Sequence, residues 1–556
     1  MAIVLVIVIR GVMSPPQPPS SRLFVNGVVL SMDANDSVHE AVLIEADRIA
    51  AVGSNAEVEA RVGDDVVVHD LAGRTLIPGF IDAHGHFPGS GLNEFGVDLN
   101  SPPIGGVREL DDAITALREK AAETNAGDWI FGFGYDDTLI AEKRHPTRED
   151  LDAASSEHPI FIMHVSGHMG VANSLALERA GIDASTPDPD GGVIVRDAET
   201  GALTGLLEEN AAAPVQALAM DISILGFFRM VEAAAAEYAR VGVTTAQSGG
   251  VDRRIAEGLV FAARLGLVPF RLELWPLFDQ LGAELLAGDA DADDFRTDRV
   301  RLGAIKIIAD GSIQGYTGYL SEPYHVPFHG DAHYRGYPRL SRDELASWVR
   351  RYHEAGFRLA IHGNGDASID DIIAAFRDAQ RASPRKDPRL IVIHSQMARD
   401  DQLDAMLELG MTPSFFSAHT YYWGDRHWST FMGPRRAARM SPTASALAKG
   451  LRFSVHLDTP VTPMDPLIAV WSTANRISTG GRVIGKDERV SPLQALRAVT
   501  IDAAWQIFRE KELGSIEVGK LADLVVLSGN PLENVSAIRD LVVEHTLVGG
   551  VTIYER

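Results

Sequence analysis

The chain has 556 residues, with 51 Lys and Arg against 76 Asp and Glu, a formal net charge of −25 and no cysteine. This negative field opposes binding to a nucleic-acid backbone or an anionic membrane surface, so neither partner is expected. The absence of cysteine excludes disulfides, thiolate catalysis and sulfur-ligated metals, so nitrogen and oxygen atoms would hold any bound metal.

Residues 1–21 carry an apolar run, followed by a segment rich in Pro and Ser. The run has no basic segment before it and no A-x-A-type cleavage site after it, so a signal peptide is not expected. It is also too short to span a bilayer. The sequence therefore predicts a disordered leader and a cytoplasmic protein.

Residues 22–76 contain short alternating strands with turn residues between them, and residues 512–556 repeat this pattern at the other end of the chain. Neither segment has strands enough to bury a sheet face by itself. We expect the two segments to pair into one composite β-sandwich.

Between these ends, residues 77–511 alternate apolar strand runs with helical stretches such as 341–356 and 399–410. This alternation is typical of a parallel sheet with crossover helices, and the length fits a TIM-like (β/α)₈ barrel of the α/β class. The interval of about 89–239 is too long for one crossover, so we interpret it as an inserted subdomain over the barrel mouth.

Polar side chains that can bind a metal follow or end several of these apolar runs. They are His84, His86, Lys306, His362, His394 and Asp458. The carboxyl ends of parallel barrel strands are where barrel enzymes keep their catalytic residues. The order of imidazoles, amine and carboxylate predicts a hydrolytic metal centre.

His84 and His86 are one residue apart, so on an extended strand their side chains lie on the same face and can bind one ion. Asp458 would complete this site and could accept the proton of the attacking water. The alternative is that the histidines are ordinary strand-end residues and that Asp458 caps a turn.

Longer motifs resemble a known family. They include PGFIDAHGH at 78–86, IKIIADGSIQG at 305–315, HGNGDASID at 362–370, GHMGVANSLALERAGI at 167–182 and LGSIEVGKLADLVVL at 513–527. Together they resemble the amidohydrolase superfamily, and within it the amidohydrolase-3 (YtcJ-like) branch, which includes N-substituted formamide deformylases. The resemblance covers residues 22–556 and implies a metal-dependent barrel with a flanking β-sandwich.

The resemblance also implies a second ion, held by His362 and His394. Lys306 as an ammonium has no lone pair for a metal, but in this superfamily such a lysine is often carboxylated at Nζ and bridges two ions. The alternative is an unmodified Lys306 beside one ion. Zinc suits the ligands, and manganese, iron and cobalt suit them as well. A homodimer is implied by the resemblance alone.

Further residues are expected to orient the ligands or to contact the substrate. Asp310 and Asp366 could orient ligand histidines, and His168 could polarise a substrate carbonyl. An aromatic wall around an apolar substituent is expected from the segment 415–428. Its members are Phe415, His419, Tyr421, Tyr422 and Trp423.

The resulting hypothesis is a metal-dependent amidohydrolase that acts on a small amide with an apolar substituent, of the N-substituted formamide or N-acyl amide type. A metal-activated hydroxide would attack, and Asp458 would carry the proton to the departing amine. Deamination or cyclic-amide opening on the same centre is one alternative. A non-catalytic scaffold, and a metal-free barrel using Lys306 as a Schiff-base amine, are the others.

Overall fold

The computed structural model describes residues 21–63 and 65–556. The predicted leader lies outside the described residues except for Ser21, which begins the first strand. In this described part of the chain, no helix combines the length and apolarity needed to cross a membrane.

The N-terminal segment forms seven short strands and one helix. The strands are β1 (Ser21–Val25), β2 (Val28–Leu30), β3 (Val38–His39), β4 (Ala41–Glu45), β5 (Arg48–Gly53), β6 (Val67–Asp70) and β7 (Thr75–Pro78), and the helix is α1 (Asn55–Glu59). A capping box between Ser54 and Glu57 begins this helix. Four of the strands form one sheet in the order β5-β4-β1-β6.

The next strand, β8 (Phe80–Ile81), opens the barrel, and a separate subdomain interrupts the chain after it. Its strands are β9 (Val97–Asp98), β10 (Ile130–Tyr135), β11 (Ile160–His164), β12 (Met169–Ala172), β13 (Gly192–Arg196) and β14 (Leu203–Glu209). They form one sheet in the order β13-β14-β12-β11-β10-β9. Its helices are α2 (Leu110–Glu123), α3 (Arg148–Ala154), α4 (Ser174–Arg179) and α5 (Ala213–Ala219).

Helix α6 (Ile224–Arg240) returns the chain to the barrel. Val231, Ala234 and Tyr238 on this helix belong to the same buried cluster as the barrel strands. Because this face packs on the barrel, we propose that the insertion ends before Ile224 rather than at about residue 239.

The remaining barrel strands alternate with helices. The strands are β15 (Val243–Val251), β16 (Arg271–Pro276), β17 (Val300–Leu302), β18 (Ile305–Ile308), β19 (Leu359–Gly363), β20 (Leu390–His394), β21 (Met411–Phe415) and β22 (Ser454–Val455). The helices are α7 (Arg253–Arg264), α8 (Leu281–Ala287), α9 (Arg342–Glu354), α10 (Asp366–Ala382), α11 (Asp400–Leu409), α12 (His419–Tyr422), α13 (Gly424–Arg426), α14 (Gly433–Ala437), α15 (Thr443–Ala448), α16 (Pro466–Asn475), α17 (Pro492–Ala498) and α18 (Ile501–Gln506).

All the strand pairs of this sheet are parallel. One run is β8-β15-β16-β17 and the other is β18-β19-β20-β21-β22. A parallel bridge from Leu277 to Lys306 joins the two runs, and Asp458 N donates to His84 O at 3.2 Å on the opposite side. With β17 and β18 as two pieces of one strand, the sheet closes as a (β/α)₈ barrel, as predicted.

The last strands, β23 (Leu524–Leu527), β24 (Val543–Val548) and β25 (Val551–Glu555), complete a second sheet in the order β25-β24-β23-β7-β2-β3. The two ends of the chain thus form the composite sandwich. Its C-terminal part is fixed to the barrel by Asp523, which accepts two hydrogen bonds from Arg271 at 2.8 and 3.0 Å.

Candidate metal centre

The predicted ligands come together at the carboxyl end of the barrel. His84 and His86 follow β8, Lys306 lies in β18 and Asp458 follows β22. His362 and His394 lie at the ends of β19 and β20, which are neighbours in the sheet. Because parallel strands end at one edge, side chains nearly four hundred residues apart share one site.

Asp458 is the hub of this site. Its Oδ1 lies 3.3 Å from His84 Nε2 and 3.3 Å from His86 Nε2, and its Oδ2 lies 3.9 Å from His394 Nε2. Lys306 Nζ lies 2.9 Å from His84 Nε2. Ligand atoms of His84, His394 and Asp458 lie within 4.8 Å of one another, which suits one divalent ion after small adjustments.

The outer nitrogens of the first two histidines determine their tautomers. His84 Nδ1 lies 2.7 Å from Gln247 Oε1, and Gln247 Nε2 donates to Ala83 O at 3.0 Å, which fixes the orientation of this amide. His86 Nδ1 lies 2.6 Å from Gly249 O. Both acceptors are oxygens without hydrogens, so each Nδ1 carries the proton and each Nε2 presents a lone pair.

The second pair of histidines lies beside the first. The rings of His362 and His394 are 4.4 Å apart, and the rings of His84 and His394 are 5.8 Å apart. His362 Nδ1 lies 3.0 Å from Asp310 Oδ1, so the predicted orienting role of Asp310 has a matching contact. The Asp310 carboxylate is held in turn by the backbone N–H groups of Tyr319, Asn364 and Gly365.

Two residues of the centre adopt left-handed backbone conformations. His394 has φ 67° and Asp458 has φ 57°. Neither residue is glycine, and such conformations cost on the order of 1–3 kcal/mol each. The surrounding fold therefore maintains an unfavourable backbone conformation at both residues, as is common at functional sites.

The donor set fits a cation. Asp458 Oδ1 is buried without a hydrogen-bond donor, although the Nε2 atoms of His84 and His86 are its neighbours. A carboxylate oxygen and two imidazole lone pairs face one another with no proton of their own between them. Such a convergence of acceptors is the ligand chemistry of a divalent ion such as zinc.

Burial sets the protonation of the other groups. It lowers the pKa values of His84, His362 and His394 well below the usual value, so these imidazoles are neutral. It also lowers the pKa of Lys306 to about 7. Burial alone would raise the pKa of Asp458, but its neighbours His86, His456 and Lys306 outweigh burial and lower that pKa.

The inserted subdomain contributes His168 to the site. Its ring lies 5.0 Å from the ring of His362, and its Nδ1 lies 2.9 Å from Glu209 Oε2. Arg339 Nη1 lies 3.4 Å from the same oxygen. His168 is thus held beside His362 by a buried carboxylate.

The predicted aromatic wall is only partly at the centre. Phe415 packs against Phe453 at 5.5 Å in the barrel core, and its substrate contact stays a prediction. The side chain of Ser414 points into the barrel, and alternation along the strand therefore turns Phe415 outward. Phe416 takes its place, with its ring 6.0 Å from His394.

The rest of the wall extends away from Phe416. His419 stacks edge-on against Phe416 at 4.4 Å and lies 4.6 Å from Trp423. Tyr422 lies 5.6 Å from Trp423. Tyr421 instead lines an outer cavity of about 480 Å³, where its ring lies 5.5 Å from Trp471. His419 and Trp423 are therefore nearer to the centre than the two tyrosines.

Two other carboxylates, those of Asp366 and Asp136, bind groups outside the candidate metal centre. Asp366, a predicted orienting residue, binds Ser321 N at 2.9 Å and Arg399 Nη1 at 3.1 Å rather than a candidate ligand histidine. Its place at the start of α10 turns it toward these groups. Asp136 accepts a hydrogen bond from Trp423 Nε1 at 2.9 Å, which joins the insertion to the barrel loop.

The groups that bind the outer nitrogens of these histidines were not predicted from the sequence. Gln247, Glu209 and the carbonyl of Gly249 lie far along the chain from their partners, and no motif indicates them. His456 Nε2 lies 3.0 Å from His394 Nδ1. It precedes Asp458 by two residues, and this spacing on a strand could have indicated a shared face.

Comparisons with known proteins agree with this geometry. The model of a family described as "Amidohydrolase family" matches residues 67–554. An N-substituted formamide deformylase from Arthrobacter pascens is 32% identical over 544 residues, covering 96% of this chain and 98% of that protein. The putative amidohydrolase YtcJ of Bacillus subtilis (strain 168) is 27% identical over 551 residues, covering 95% and 98%.

The fold is also found among solved structures. The crystal structure of an uncharacterized metal-dependent hydrolase from Pyrococcus horikoshii superposes with a TM-score of 0.73 at 22% identity, covering 93% of this chain and 99% of that one. These matches confirm the resemblance and the fold predicted from the sequence.

Proposed function

The chain belongs to the amidohydrolase family and is a metal-dependent hydrolase; we propose that it cleaves the C–N bond of an N-substituted formamide or a related N-acyl amide with an apolar amine portion. The observation that carries the chemistry is the convergence of Asp458 Oδ1 with the Nε2 atoms of His84 and His86. The relative from Arthrobacter pascens, similar along nearly its whole length, supports the formamide class.

In this proposal the six predicted ligands divide into two sets. His84, His86 and Asp458 would hold one ion, and His362 and His394 would hold a second. Lys306 carries a carboxyl group on Nζ and lies between the sets. An unmodified Lys306 donates a hydrogen bond to His84 Nε2, whereas a carbamate would have no N–H of an ammonium to donate there and would add two oxygen ligands. Zinc is the proposed metal because imidazole and carboxylate suit it.

The bound metal supplies Lewis acidity, which polarises a carbonyl and lowers the pKa of water from 15.7 to about 7. Asp458 is placed to accept the proton of the attacking water and to pass it to the departing amine, because its carboxylate faces the ligand cluster. When Nε2 of His168 carries a hydrogen, it can donate a hydrogen bond to the substrate carbonyl oxygen, and Glu209 fixes the ring by accepting from Nδ1.

The apolar amine portion is proposed to lie against Phe416, His419 and Trp423. These rings form a continuous series that begins 6.0 Å from His394 and passes through contacts of 4.4 and 4.6 Å. Aromatic faces bind apolar substituents well and lose little side-chain entropy on doing so. The homodimer and the cytoplasmic location stay predictions.

The test measures metal content and turnover on the same protein, purified without chelator or nickel affinity. Plasma mass spectrometry should give about one or two ions per chain, and an N-benzyl-type formamide should release formate. Asp458→Asn should abolish turnover. Asp366→Asn is the matched control, since Asp366 also follows a barrel strand but binds Ser321 and Arg399.

Other outcomes identify the alternatives. Turnover of a cyclic amide or an aminopurine, with no formate released from formamides, would replace the proposal by cyclic-amide opening or deamination. Absence of bound metal, with no gain on adding zinc or manganese, would contradict the hydrolytic centre. Covalent trapping of a carbonyl compound on Lys306 by borohydride would favour the Schiff-base alternative.

A further inference from the structure

A continuous row of buried polar side chains runs from the ligand His394 into the barrel interior. Each member is at most 2% exposed. In order from the centre, the row consists of His394, His456, Ser414, Ser454 and Gln506. Gln506 is the last residue of α18, and Ser414 pairs with Ser454 across β21 and β22.

Every step of the row is a close hydrogen bond. His394 Nδ1 lies 3.0 Å from His456 Nε2, and His456 Nδ1 lies 2.9 Å from Ser414 Oγ. Ser414 Oγ lies 2.8 Å from Ser454 Oγ, which lies 2.5 Å from Gln506 Oε1.

The far end of the row determines the direction of these bonds. Gln506 Nε2 donates to Pro413 O at 2.9 Å and to Thr412 Oγ1 at 2.8 Å. The Thr412 hydroxyl donates its own proton to Arg452 O at 2.8 Å, so it must accept from Gln506. The amide orientation of Gln506 is therefore set, and its Oε1 can only accept.

The acceptor role of Gln506 Oε1 then fixes donor and acceptor in each of the other hydrogen bonds of the row. Ser454 Oγ has donor geometry toward both Ser414 Oγ and Gln506 Oε1, but it carries a single proton. Because Gln506 Oε1 can only accept, that proton goes to Gln506, and Ser414 supplies the proton between the two serine oxygens. Ser414 Oγ then accepts from His456 Nδ1, which leaves a lone pair on His456 Nε2. His394 Nδ1 donates to that lone pair, and His394 Nε2 is left without a proton on the side that faces Asp458.

A purely structural core would not need these groups. Barrel interiors are normally filled by branched apolar side chains, and a buried polar group is costly unless every partner is present. The row ends on a metal-ligand candidate at one end and on two residues of β21 at the other. The hydrogen bonds of the row thus determine which ring nitrogen of His394 carries the proton.

We propose that Gln506, Ser454, Ser414 and His456 are positioning residues that hold His394 in the tautomer whose Nε2 lone pair faces the metal ligands. This inference rests on the proposed function for its purpose, since a tautomer matters when Nε2 binds a metal. The hydrogen-bond direction itself can be measured without metal.

The first measurement is the ring nitrogen signals of His394 and His456 by NMR of the ¹⁵N-histidine-labelled full chain, with chelator and with added zinc. Assignments come from His456→Gln. In the metal-free protein, Nδ1 should be protonated and Nε2 unprotonated on both rings. A protonated Nε2 on His394 would overturn the proposal, whether or not the protein binds metal.

The second measurement breaks the row at Ser414→Ala or, further from the centre, at Ser454→Ala. Without its acceptor, His456 can move its proton to Nε2, and His394 then carries its proton on Nε2 and loses its metal lone pair. Zinc affinity, measured by competition with a chelator, should fall about 10- to 100-fold, as when other outer-sphere partners of metal ligands are removed.

Ser417→Ala is the matched control, because Ser417 is equally buried and its hydroxyl bonds Thr473 outside the row. It should show a similar change in the denaturant midpoint, unchanged zinc affinity and unchanged His394 signals. If Ser414→Ala and Ser454→Ala behave like this control, the row has only a structural role and the proposal is overturned. If the wild-type protein binds no zinc, the proposed function fails while the NMR result still decides the tautomer.

Discussion

Gln247 is the residue whose replacement tests most directly how the first ligand is prepared. Its side chain lies on β15, accepts from His84 Nδ1 at 2.7 Å and donates to Ala83 O at 3.0 Å. Gln247→Leu keeps a similar volume and removes both hydrogen bonds. His84 then has either an unpaired Nδ1–H or a proton on Nε2, where the metal lone pair should be.

The expected magnitude follows from these two bonds. A buried donor or acceptor without a partner costs about 1–3 kcal/mol, so two such groups lower the free energy of unfolding by about 2–6 kcal/mol. Metal affinity should fall about 10- to 100-fold, because the fixed tautomer is lost. Turnover at saturating metal should recover in part, since added ion can select the competent tautomer.

Gln402→Leu separates the two effects. Gln402 is equally buried and makes three hydrogen bonds, to Arg399 N, Asp366 O and Asp370 Oδ1, at 2.9, 2.7 and 2.8 Å. It should therefore lower stability in urea by a similar amount and leave zinc affinity unchanged in chelator competition. Wild-type zinc affinity in Gln247→Leu would refute the tautomer argument.

Three further predictions concern the insertion and the sandwich. His168→Ala should lower kcat/KM for a formamide about 10²-fold, as loss of one carbonyl donor does, with metal content unchanged by plasma mass spectrometry. Burial raises the pKa of Glu209, but His168 and Arg339 outweigh it and hold that pKa below its usual value. Ionised Glu209 therefore stabilises the fold above its unfolded-state pKa of about 4.3, and this stabilisation is lost as the pH falls through the lower folded-state pKa. The unfolding free energies of wild type and Glu209→Gln should converge on acidification. A difference that stays constant with pH would contradict this prediction. Asp523→Asn should leave the Arg271 charge buried and cost about 3–5 kcal/mol in urea unfolding, with kcat unchanged; a stability equal to wild type would contradict the role of this pair.

The ligand candidates could be found from the sequence because each signal is local. A polar residue after an apolar run, as His394 follows Leu390–Ile393, is visible in a single segment. The barrel rule then places all such residues at one edge without knowledge of any contact. For the same reason the composite sandwich could be predicted, since each end of the chain shows strands that lack partners.

The groups around the ligands could not be found in this way. Gln247 is separated from His84 by 163 residues, and Gln506 from Ser454 by 52. Their roles depend on contacts between distant segments, and the sequence of neither segment alone indicates such a contact. Phe415 shows a second limit of prediction from sequence. The composition of its segment predicts an aromatic cluster, but strand register decides which face of the sheet each ring occupies.

The number of ions and the state of Lys306 are linked by charge. Around Asp458, an ammonium on Lys306 cancels the carboxylate charge, so one divalent ion leaves the cluster with two positive charges. A carbamate changes the charge at Lys306 by two units, and a second divalent ion then restores the same total. Two ions beside an ammonium would leave four positive charges in a buried site that solvates them poorly, whereas a carbamate with one ion would leave no net charge. A second ion should therefore bind only where Lys306 is carboxylated: preparations with two ions per chain should contain the carbamate, and two ions beside an unmodified lysine would contradict this prediction.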